Sequence, residues 1–215
     1  MDYDINGLFG KKVEFTVPHI KCLLHQLLLA VKYLHDNNVM HRDIKGANIL
    51  LDNKGTLKLA DFGLAKQYDK FRKMYTNKVV TLWYRAPELL LGSRQYNKSI
   101  DMWSVGCFFV ELFLGKPIFP GNLEVKQLSL IFKLCGTPNV ENWPALALLK
   151  GFTELNPAPL PDNRDNFFKN LDIYPKRLDD KAIGLIKGML TLNPSERLTV
   201  EECLAHSYFT ADPLP

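Results

Sequence analysis

The sequence has no C-x-x-C pair, no long apolar run and no large excess of charge of either sign. Its four cysteines lie far apart, which favours reduced, buried thiols over a disulfide framework or a zinc site; they are Cys22, Cys107, Cys135 and Cys203. No apolar stretch approaches the ~20 residues that a membrane span requires, and the charged N-terminus is unlike a signal peptide. We therefore expect a cytosolic or nuclear protein that does not enter a membrane.

The charge balance also excludes one class of function. The 215 residues include 27 basic and 23 acidic side chains, for a net charge of +4, and no basic stripe is present. This argues against a protein that binds nucleic acid by neutralising phosphates. The length fits one domain or one large lobe, which can bury about 70% of its unfolded surface.

The apolar pattern predicts a largely helical chain. Thr16 and Pro18 mark a helix start, and apolar residues then recur at helical spacing at Ile20, Leu23, Leu24, Leu27, Val31 and Leu34. Residues 100–113 are apolar on all sides, as in a helix buried within a domain.

Shorter signals complete the expected secondary structure. Further helices are expected over 123–134, 179–190 and 199–205, the last begun by a capping box of Thr199 and Glu202. Residues 1–15 are expected to be a loop, and the Pro-rich range 136–177 an irregular excursion with short helices. Strands are expected at 39–40 and in one hairpin, 49–51 with 56–59, so the overall pattern is mainly α.

Two short runs carry residues suited to phosphoryl transfer, His41-Arg42-Asp43-Ile44-Lys45-Gly46-Ala47-Asn48 and Asp61-Phe62-Gly63. This chemistry requires a group that orients the attacking hydroxyl and oxygen ligands that hold Mg²⁺ on the phosphates. Asp43 suits the first task and Asn48 and Asp61 the second, because Mg²⁺ prefers hard oxygen ligands. The hairpin folds the chain back and should bring Asp61 beside Asn48. An aspartate near a turn is more often a cap, so each run alone leaves that alternative open.

The order and spacing of these runs, with Ala86-Pro87-Glu88 downstream, resemble those of eukaryotic Ser/Thr protein kinases. The resemblance extends from Asp2 to Phe209. It implies the C-terminal lobe of a protein kinase, mainly α, a helical bundle with a small β-hairpin and without the N-terminal β-lobe. The implied divisions are a hinge-proximal segment 1–15, the lobe 16–209 and a tail 210–215, with a catalytic loop 41–48, an activation segment 61–88 and an insert 136–177.

The resemblance also implies roles for individual residues, with ATP and Mg²⁺ as cofactors. The residues implied to act on the nucleotide, the metal or the transferred phosphate are Asp4, Asp43, Lys45, Asn48, Leu50, Asp61 and Thr81. Lys45 would contact the transferred phosphate, and Thr81 would help hold Lys45 against Asp43. Leu50 would line the adenine site and Asp4 would contact the ribose.

Three further residues match structural positions of the family. Asp101 matches a carboxylate that braces the catalytic loop from the buried helix. Glu88 and Arg197 match an ion pair that ties the activation segment to the lobe, and breaking such a pair costs ~3–5 kcal/mol when it is buried.

The run from Tyr75 to Glu88 resembles the cyclin-dependent kinases, and in particular the transcriptional branch that phosphorylates the C-terminal repeats of RNA polymerase II. Val79, Val80 and Arg85 match a substrate groove that favours proline directly after the target Ser or Thr. The implied partners are a cyclin and a protein substrate with Ser/Thr-Pro sites, without direct nucleic-acid or membrane binding. The implied location is the nucleus, with the cytoplasm as a second compartment.

Thr76 matches the activating phosphorylation site of this family. A phosphate adds about −1.5 to −2 charges and needs cationic partners to order the loop around it. Arg42 and Lys66 are the expected partners. Lys66 stands where the family usually has arginine, and lysine cannot make the same two-pronged contact, so a weaker clamp is expected. The alternative is that Thr76 is an ordinary loop residue.

Parts of the kinase pattern are missing from the sequence. Its thirteen glycines form no G-x-G-x-x-G run, and no V-A-I-K lysine is present. The family requires these parts for activity, so we expect residues 1–215 alone to be an inefficient catalyst. Two functions stay open, a truncated kinase and a catalytically inactive lobe that binds a substrate or partner through its exposed cleft floor. The insert 136–177 is either a docking element or a plain surface insertion.

Overall fold

The computed structural model describes residues 1–71, 74–169 and 178–214. The helices are α1 (Ile5–Gly10), α2 (Val17–Asp36), α3 (Pro87–Leu90), α4 (Ser99–Leu114), α5 (Glu124–Cys135), α6 (Lys150–Leu155), α7 (Arg164–Lys169), α8 (Asp180–Met189) and α9 (Val200–Leu204). The strands are β1 (Tyr3–Asp4), β2 (Val39–Met40), β3 (Ile49–Leu51), β4 (Leu57–Leu59) and β5 (Lys66–Gln67). No helix in these ranges is both long enough and apolar enough to cross a membrane.

Helix α2 confirms the predicted helix start. The Thr16 hydroxyl accepts a hydrogen bond from the His19 N–H, and the His19 ring accepts one from the Thr16 N–H, so both free donors are satisfied. Pro18 lies in the first turn, where its missing N–H costs nothing. The apolar face of α2 packs against α4, α9 and β4.

Helix α4 confirms the prediction of a central helix buried on all sides. Its side chains from Ile100 to Phe113 are buried without exception. Gly106 lets the helix approach α8, because an added Cβ would lie 2.8 Å from the Cβ of Met189. The helix therefore provides a rigid floor beneath the loops that precede it in the chain.

The β structure differs from the prediction. The expected hairpin of β3 and β4 is present, with Ile49 paired to Leu59, but β1 adds a third strand by pairing Tyr3 with Leu51. Residues 1–15 therefore contain a strand and a helix, where a loop was expected. The expectation of one small hairpin within a helical bundle is wrong, since the described residues form two sheets.

The second sheet holds the activation segment against the strand before the catalytic loop. Strands β2 and β5 run antiparallel and pair Met40 with Lys66. The segment 61–88 is not uniformly solvated, because Tyr75, Val79 and Val80 are buried. Residues 72–73, which fall in the expected activation segment, lie outside the described residues.

The C-terminal half is more irregular, as the prolines predict. Short helices and a 3₁₀ turn (Pro144–Leu148) cover the described part of the insert 136–177, and 170–177 lie outside the described residues. The predicted capping box begins α9, with the Thr199 hydroxyl accepting from the Glu202 N–H at 3.3 Å. Helices α8 and α9 pack on α4 and α2 respectively and close the core.

Candidate active site

Asp43 lies at the centre of a compact hydrogen-bond network. Its Oδ2 accepts from Lys45 Nζ at 2.7 Å and from Asn48 Nδ2 at 3.1 Å. Its Oδ1 accepts from the Thr81 hydroxyl at 2.8 Å and from the Thr81 N–H at 3.2 Å. Lys45 Nζ also donates to Thr81 Oγ1 at 3.1 Å, which closes the network. The structure therefore brings together four of the residues that the sequence marked as catalytic.

This network sets the protonation state of Asp43. Burial alone would raise the pKa of the carboxyl, but hydrogen bonds from Lys45 and Thr81, together with the Lys45 charge, outweigh that effect. The pKa of Asp43 therefore lies below its ordinary value. At neutral pH the group is a fixed carboxylate that can accept a hydrogen bond from a hydroxyl.

Asn48 is oriented by the same carboxylate. Its amide nitrogen donates to the main-chain oxygen of Asp43 at 2.8 Å as well as to Oδ2, so its amide oxygen is the atom left to bind a cation. Asn48 is buried at the end of a 3₁₀ turn (Gly46–Asn48) that leads directly into β3.

The hairpin brings the main chain that precedes Asp61 against Asn48. The N–H of Ala60, one residue before Asp61, donates to the main-chain oxygen of Asn48 at 2.9 Å. On the other side, Nε2 of the buried His41 lies 3.0 Å from the Ala60 oxygen, and the His41 ring packs edge-on against Phe62 at 5.0 Å. The catalytic loop and the Asp61-Phe62-Gly63 run are thus joined on both sides of the hairpin end.

The donor set fits a magnesium ion bound with nucleotide phosphates. Asp61 is exposed and Asn48 has one amide oxygen available, which supplies two hard oxygen ligands from neighbouring segments. No cluster of three or more His, Cys, Asp or Glu residues occurs in the described ranges.

Three residues of the site have a left-handed backbone, with φ of 66° at Arg42, 61° at Asp61 and 68° at Val80. Such conformations cost about 1–3 kcal/mol each outside glycine and persist where the surroundings hold them. Asp101 holds the first, because its Oδ1 and Oδ2 accept the N–H groups of Arg42 and His41, both at 2.9 Å. The contact expected for Asp101 is therefore present.

The sequence did not single out His35 as a partner of this brace. His35 Nε2 lies 3.0 Å from Asp101 Oδ2, and both side chains are buried. The only available signal was the position of His35 on the buried face of α2, one turn after Val31.

Asp4 and Leu50, the expected ribose and adenine contacts, lie opposite each other in the β1–β3 ladder. Asp4 Oδ1 also accepts from the Gly7 N–H at 2.9 Å and caps α1, a role that the sequence analysis did not predict for it. Leu50 is half-buried. The pairing brings both side chains to one edge of the site, and their contact with a nucleotide stays a prediction.

Thr76 is exposed, and its expected partners are arranged unequally around it. Arg42 Nη1 donates to the Tyr96 hydroxyl at 3.0 Å, and that hydroxyl donates to the Thr76 oxygen at 2.6 Å. Arg42 is thus connected to Thr76 through Tyr96, which the sequence analysis did not identify. Lys66 is exposed in β5, where its main chain pairs with Met40.

The residues of the expected substrate groove are held by Arg85. Its Nε donates to the Val79 oxygen at 2.9 Å, and its Nη2 donates to the Val80 oxygen at 3.0 Å. Its Nη1 contacts Glu124 Oε1 at 2.6 Å, at the start of α5. The carbonyl of Val80 therefore already has a partner within the chain.

The expected ion pair between Glu88 and Arg197 is present and buried. Its two hydrogen bonds are 2.8 and 2.9 Å long, and both side chains are almost wholly inaccessible. Arg197 also donates to the main-chain oxygens of Thr191 and Ser99 at 2.9 Å each. These contacts tie the loop before α9 to α3 and to the start of α4.

A further buried acid, Glu111, was not predicted. Glu111 of α4 is 2% exposed and accepts a hydrogen bond of 2.5 Å from the Tyr84 hydroxyl. Burial raises the pKa of Glu111 from 4.5 to about 7, although the Tyr84 hydrogen bond acts in the opposite direction. Glu111 therefore supports the 3₁₀ turn Leu82–Tyr84 and keeps its proton to a higher pH than an exposed glutamate does.

We expect Glu111 to make stability depend on pH between about 4.5 and 7. The folded state binds this proton more tightly than the unfolded state, so the stabilisation is complete below the lower value and is lost as pH rises through the upper one. Glu111→Gln mimics the neutral acid, so it should remove this pH-dependent loss of stability, which amounts to about 3 kcal/mol. Denaturant unfolding at pH 4.5 and pH 8 measures it, and equal pH dependence in both proteins would contradict the assignment.

Comparisons with known proteins agree with this arrangement. The family model described as "Protein kinase domain" matches residues 2–209. Cyclin-dependent kinase C-1 of Oryza sativa subsp. japonica is 48% identical over 217 residues, and its namesake in Arabidopsis thaliana is 48% identical over 218. Both matches cover the whole of this chain but only 41% and 42% of the relatives. The chain thus spans about two fifths of their length.

Solved structures give the same result. A chain in the crystal structure of the yeast RNA Pol II CTD kinase CTDK-1 complex is 41% identical, with a TM-score of 0.93 over 100% of this chain and 70% of that one. A chain of the CAK complex from Chaetomium thermophilum bound to ATP-gamma-S is 37% identical, with a TM-score of 0.90 over 99% of this chain and 65% of that one.

These findings correct the expected fold class. The chain was expected to be a mainly helical C-terminal lobe without an N-terminal β-lobe. The protein kinase domain model matches almost the entire chain, and the described residues combine helices with two sheets. The description as a lone helical lobe is therefore wrong. The sequence did not reveal the sheets, because strand pairs that join distant parts of the chain leave no local pattern.

Proposed function

The chain belongs to the protein kinase family, within its cyclin-dependent group, and from this premise we propose that it phosphorylates Ser or Thr residues followed by proline. We further propose that its substrate is the C-terminal repeat region of RNA polymerase II and that it regulates transcription in the nucleus. The observation that carries the proposal is the network in which Lys45, Asn48 and Thr81 converge on the Asp43 carboxylate.

The proposed mechanism assigns one task to each side chain. The Asp43 carboxylate accepts the hydrogen bond of the substrate hydroxyl and aims its oxygen at the phosphate. Lys45 lies within reach of both Asp43 and Thr81 and can neutralise charge that develops on the transferred group. Thr81 donates to Oδ1 of the Asp43 carboxylate and thereby fixes the orientation of Oδ2.

Asn48 and Asp61 are the proposed metal ligands. Bound between them and the phosphates, Mg²⁺ would neutralise phosphate charge. The protein kinase family uses ATP and Mg²⁺, and the oxygen donors of these two residues suit that metal. Asp4 and Leu50 are proposed to contact the ribose and the adenine.

The preference for proline follows from Val80 and Arg85. Because Arg85 donates to the Val80 oxygen, that oxygen is not free to accept the N–H of the residue after the target Ser or Thr. A residue with an N–H would leave that donor unpaired on binding, whereas proline has no N–H to satisfy.

Arg85→Met should therefore weaken the selection for proline. We expect the ratio of kcat/KM for a Ser-Pro peptide over its Ser-Ala analogue to fall by at least about fivefold, the worth of one unmade hydrogen bond. Glu124→Gln is the matched control, because it alters the contact of Arg85 with Glu124 and leaves the contacts with Val79 and Val80 in place. A ratio unchanged in Arg85→Met, or lowered equally in the control, would contradict this origin of specificity.

A cyclin is the proposed activating partner. The support is the group to which the relatives belong, cyclin-dependent kinases, and the likeness to chains of the CTDK-1 and CAK complexes. Thr76 is the proposed activation site, since it is exposed and lies near Arg42. Lys66 is the weaker proposed partner of its phosphate.

Phosphate transfer to a peptide of RNA polymerase II repeats tests the proposal. We expect the protein with its cyclin to turn over this peptide at ~1 s⁻¹ or faster, and residues 1–215 without the cyclin to be much slower. Equal transfer to unrelated Ser-Pro peptides would contradict the substrate assignment. No transfer by the complex would favour the alternative of a binding module.

A further inference from the structure

The Tyr96 hydroxyl joins two segments on which the proposed regulation depends. Tyr96 lies in the loop between α3 and α4 and is 8% exposed. Its hydroxyl donates to the main-chain oxygen of Thr76 at 2.6 Å and accepts from Arg42 Nη1 at 3.0 Å. One buried phenol therefore connects the proposed phosphorylation site to the catalytic loop.

The Arg42 end of this connection is fixed. Its main-chain N–H donates to Asp101 and its Nε donates to the Leu64 oxygen at 2.7 Å. These contacts, with the left-handed backbone at Arg42, leave the guanidinium little freedom to move away from Tyr96. Tyr96 is thus tied to a rigid part of the site.

The Thr76 end is held by main-chain contacts as well. The Tyr75 N–H donates to the Arg94 oxygen at 2.7 Å, and the Tyr75 ring packs on the Tyr96 ring at 5.2 Å. The loop that carries Arg94 and Tyr96 thereby holds the main chain on both sides of Thr76. The Thr76 side chain itself remains exposed.

We propose that Tyr96 is a positioning residue that holds the activation segment beside Arg42 before any phosphate is added. The proposal rests on the proposed function in that Thr76 is the modified residue. The order that Tyr96 imposes reduces the conformational entropy that a phosphate on Thr76 must offset when it binds Arg42. Tyr96 also keeps the Thr76 main chain in one place while the Thr76 hydroxyl stays exposed to a modifying enzyme.

Amide hydrogen exchange of Tyr96→Phe tests this without any need for catalysis. The variant keeps the ring and removes only the hydroxyl. We expect exchange of the Tyr75 amide to accelerate about fivefold, the effect of one lost hydrogen bond, while amides of α4 are unchanged. Tyr33→Phe is the matched control, because Tyr33 is 71% exposed on α2. A Tyr75 amide unchanged in Tyr96→Phe, or acceleration in α4 as well, would overturn the proposal.

A double-mutant cycle with Arg42→Gln separates coupling from general loosening. If Tyr96 acts by joining Thr76 to Arg42, the double variant should exchange at Tyr75 no faster than the faster single variant. If the two substitutions multiply their effects on the exchange rate of the Tyr75 amide, the connection through Arg42 is overturned. Loss of kinase activity in every protein, with the exchange pattern as expected, would count against the proposed function and leave this inference standing.

Discussion

Asp43→Asn is expected to reduce phosphate transfer by about 10²- to 10⁴-fold, the usual contribution of a positioned acid–base group. Asparagine has nearly the same shape, so Thr81 can still donate to its oxygen. What is lost is the negative charge that attracts the substrate hydroxyl and pairs with Lys45 at 2.7 Å. Because the mechanism gives Asp43 no part in holding nucleotide, ATP affinity should change little.

The assay compares kcat and nucleotide affinity of the cyclin-bound protein with those of its Asp43→Asn variant. Asp36→Asn is a suitable control, because that carboxylate pairs with Lys32 on the exposed side of α2 and should leave both values unchanged. An Asp43→Asn protein that retains more than about a tenth of wild-type kcat would contradict the assigned role.

Glu88→Gln is expected to destabilise the fold by about 3–5 kcal/mol, because it leaves the Arg197 charge buried without its carboxylate partner. Both side chains of this pair are almost wholly inaccessible, so water cannot replace the lost partner. Arg197 also holds Thr191 and Ser99, so the variant should loosen the junction between α3 and the loop before α9.

Denaturant unfolding measures this effect, and the exposed pair of Lys150 and Glu154 provides the control. Their side chains are 87% and 64% exposed, so Glu154→Gln should change the unfolding free energy by less than about 0.5 kcal/mol. If Glu88→Gln and Glu154→Gln lower the free energy of unfolding by similar amounts, burial is not what makes the Glu88 contact important.

Local patterns predicted much of this structure because they depend on neighbours in the sequence. The start of α2 needs only Thr16 and Pro18, the buried face of α4 is visible in its composition, and the capping box at Thr199 spans four residues. The convergence of Asn48 and Asp61 was also predictable, since a single short hairpin brings them together.

What the sequence could not predict depends on distant partners. Strand β1 exists because Tyr3 pairs with Leu51, and no pattern within residues 1–15 shows this. The expected loop also contains a helix, α1, whose first turn is capped by the Asp4 side chain. The roles of His35 and Tyr96 likewise arise from partners 66 and 20 residues away.

The central claim is that Asp43, Asn48 and Asp61 form one phosphoryl-transfer centre with divided tasks. The most direct test titrates Mg²⁺ against ATP binding in the cyclin-bound protein and in its Asp61→Asn and Asp43→Asn variants. We expect Asp61→Asn to abolish the gain in ATP affinity that Mg²⁺ produces, and Asp43→Asn to retain it. A full Mg²⁺-dependent gain in Asp61→Asn would contradict the claim.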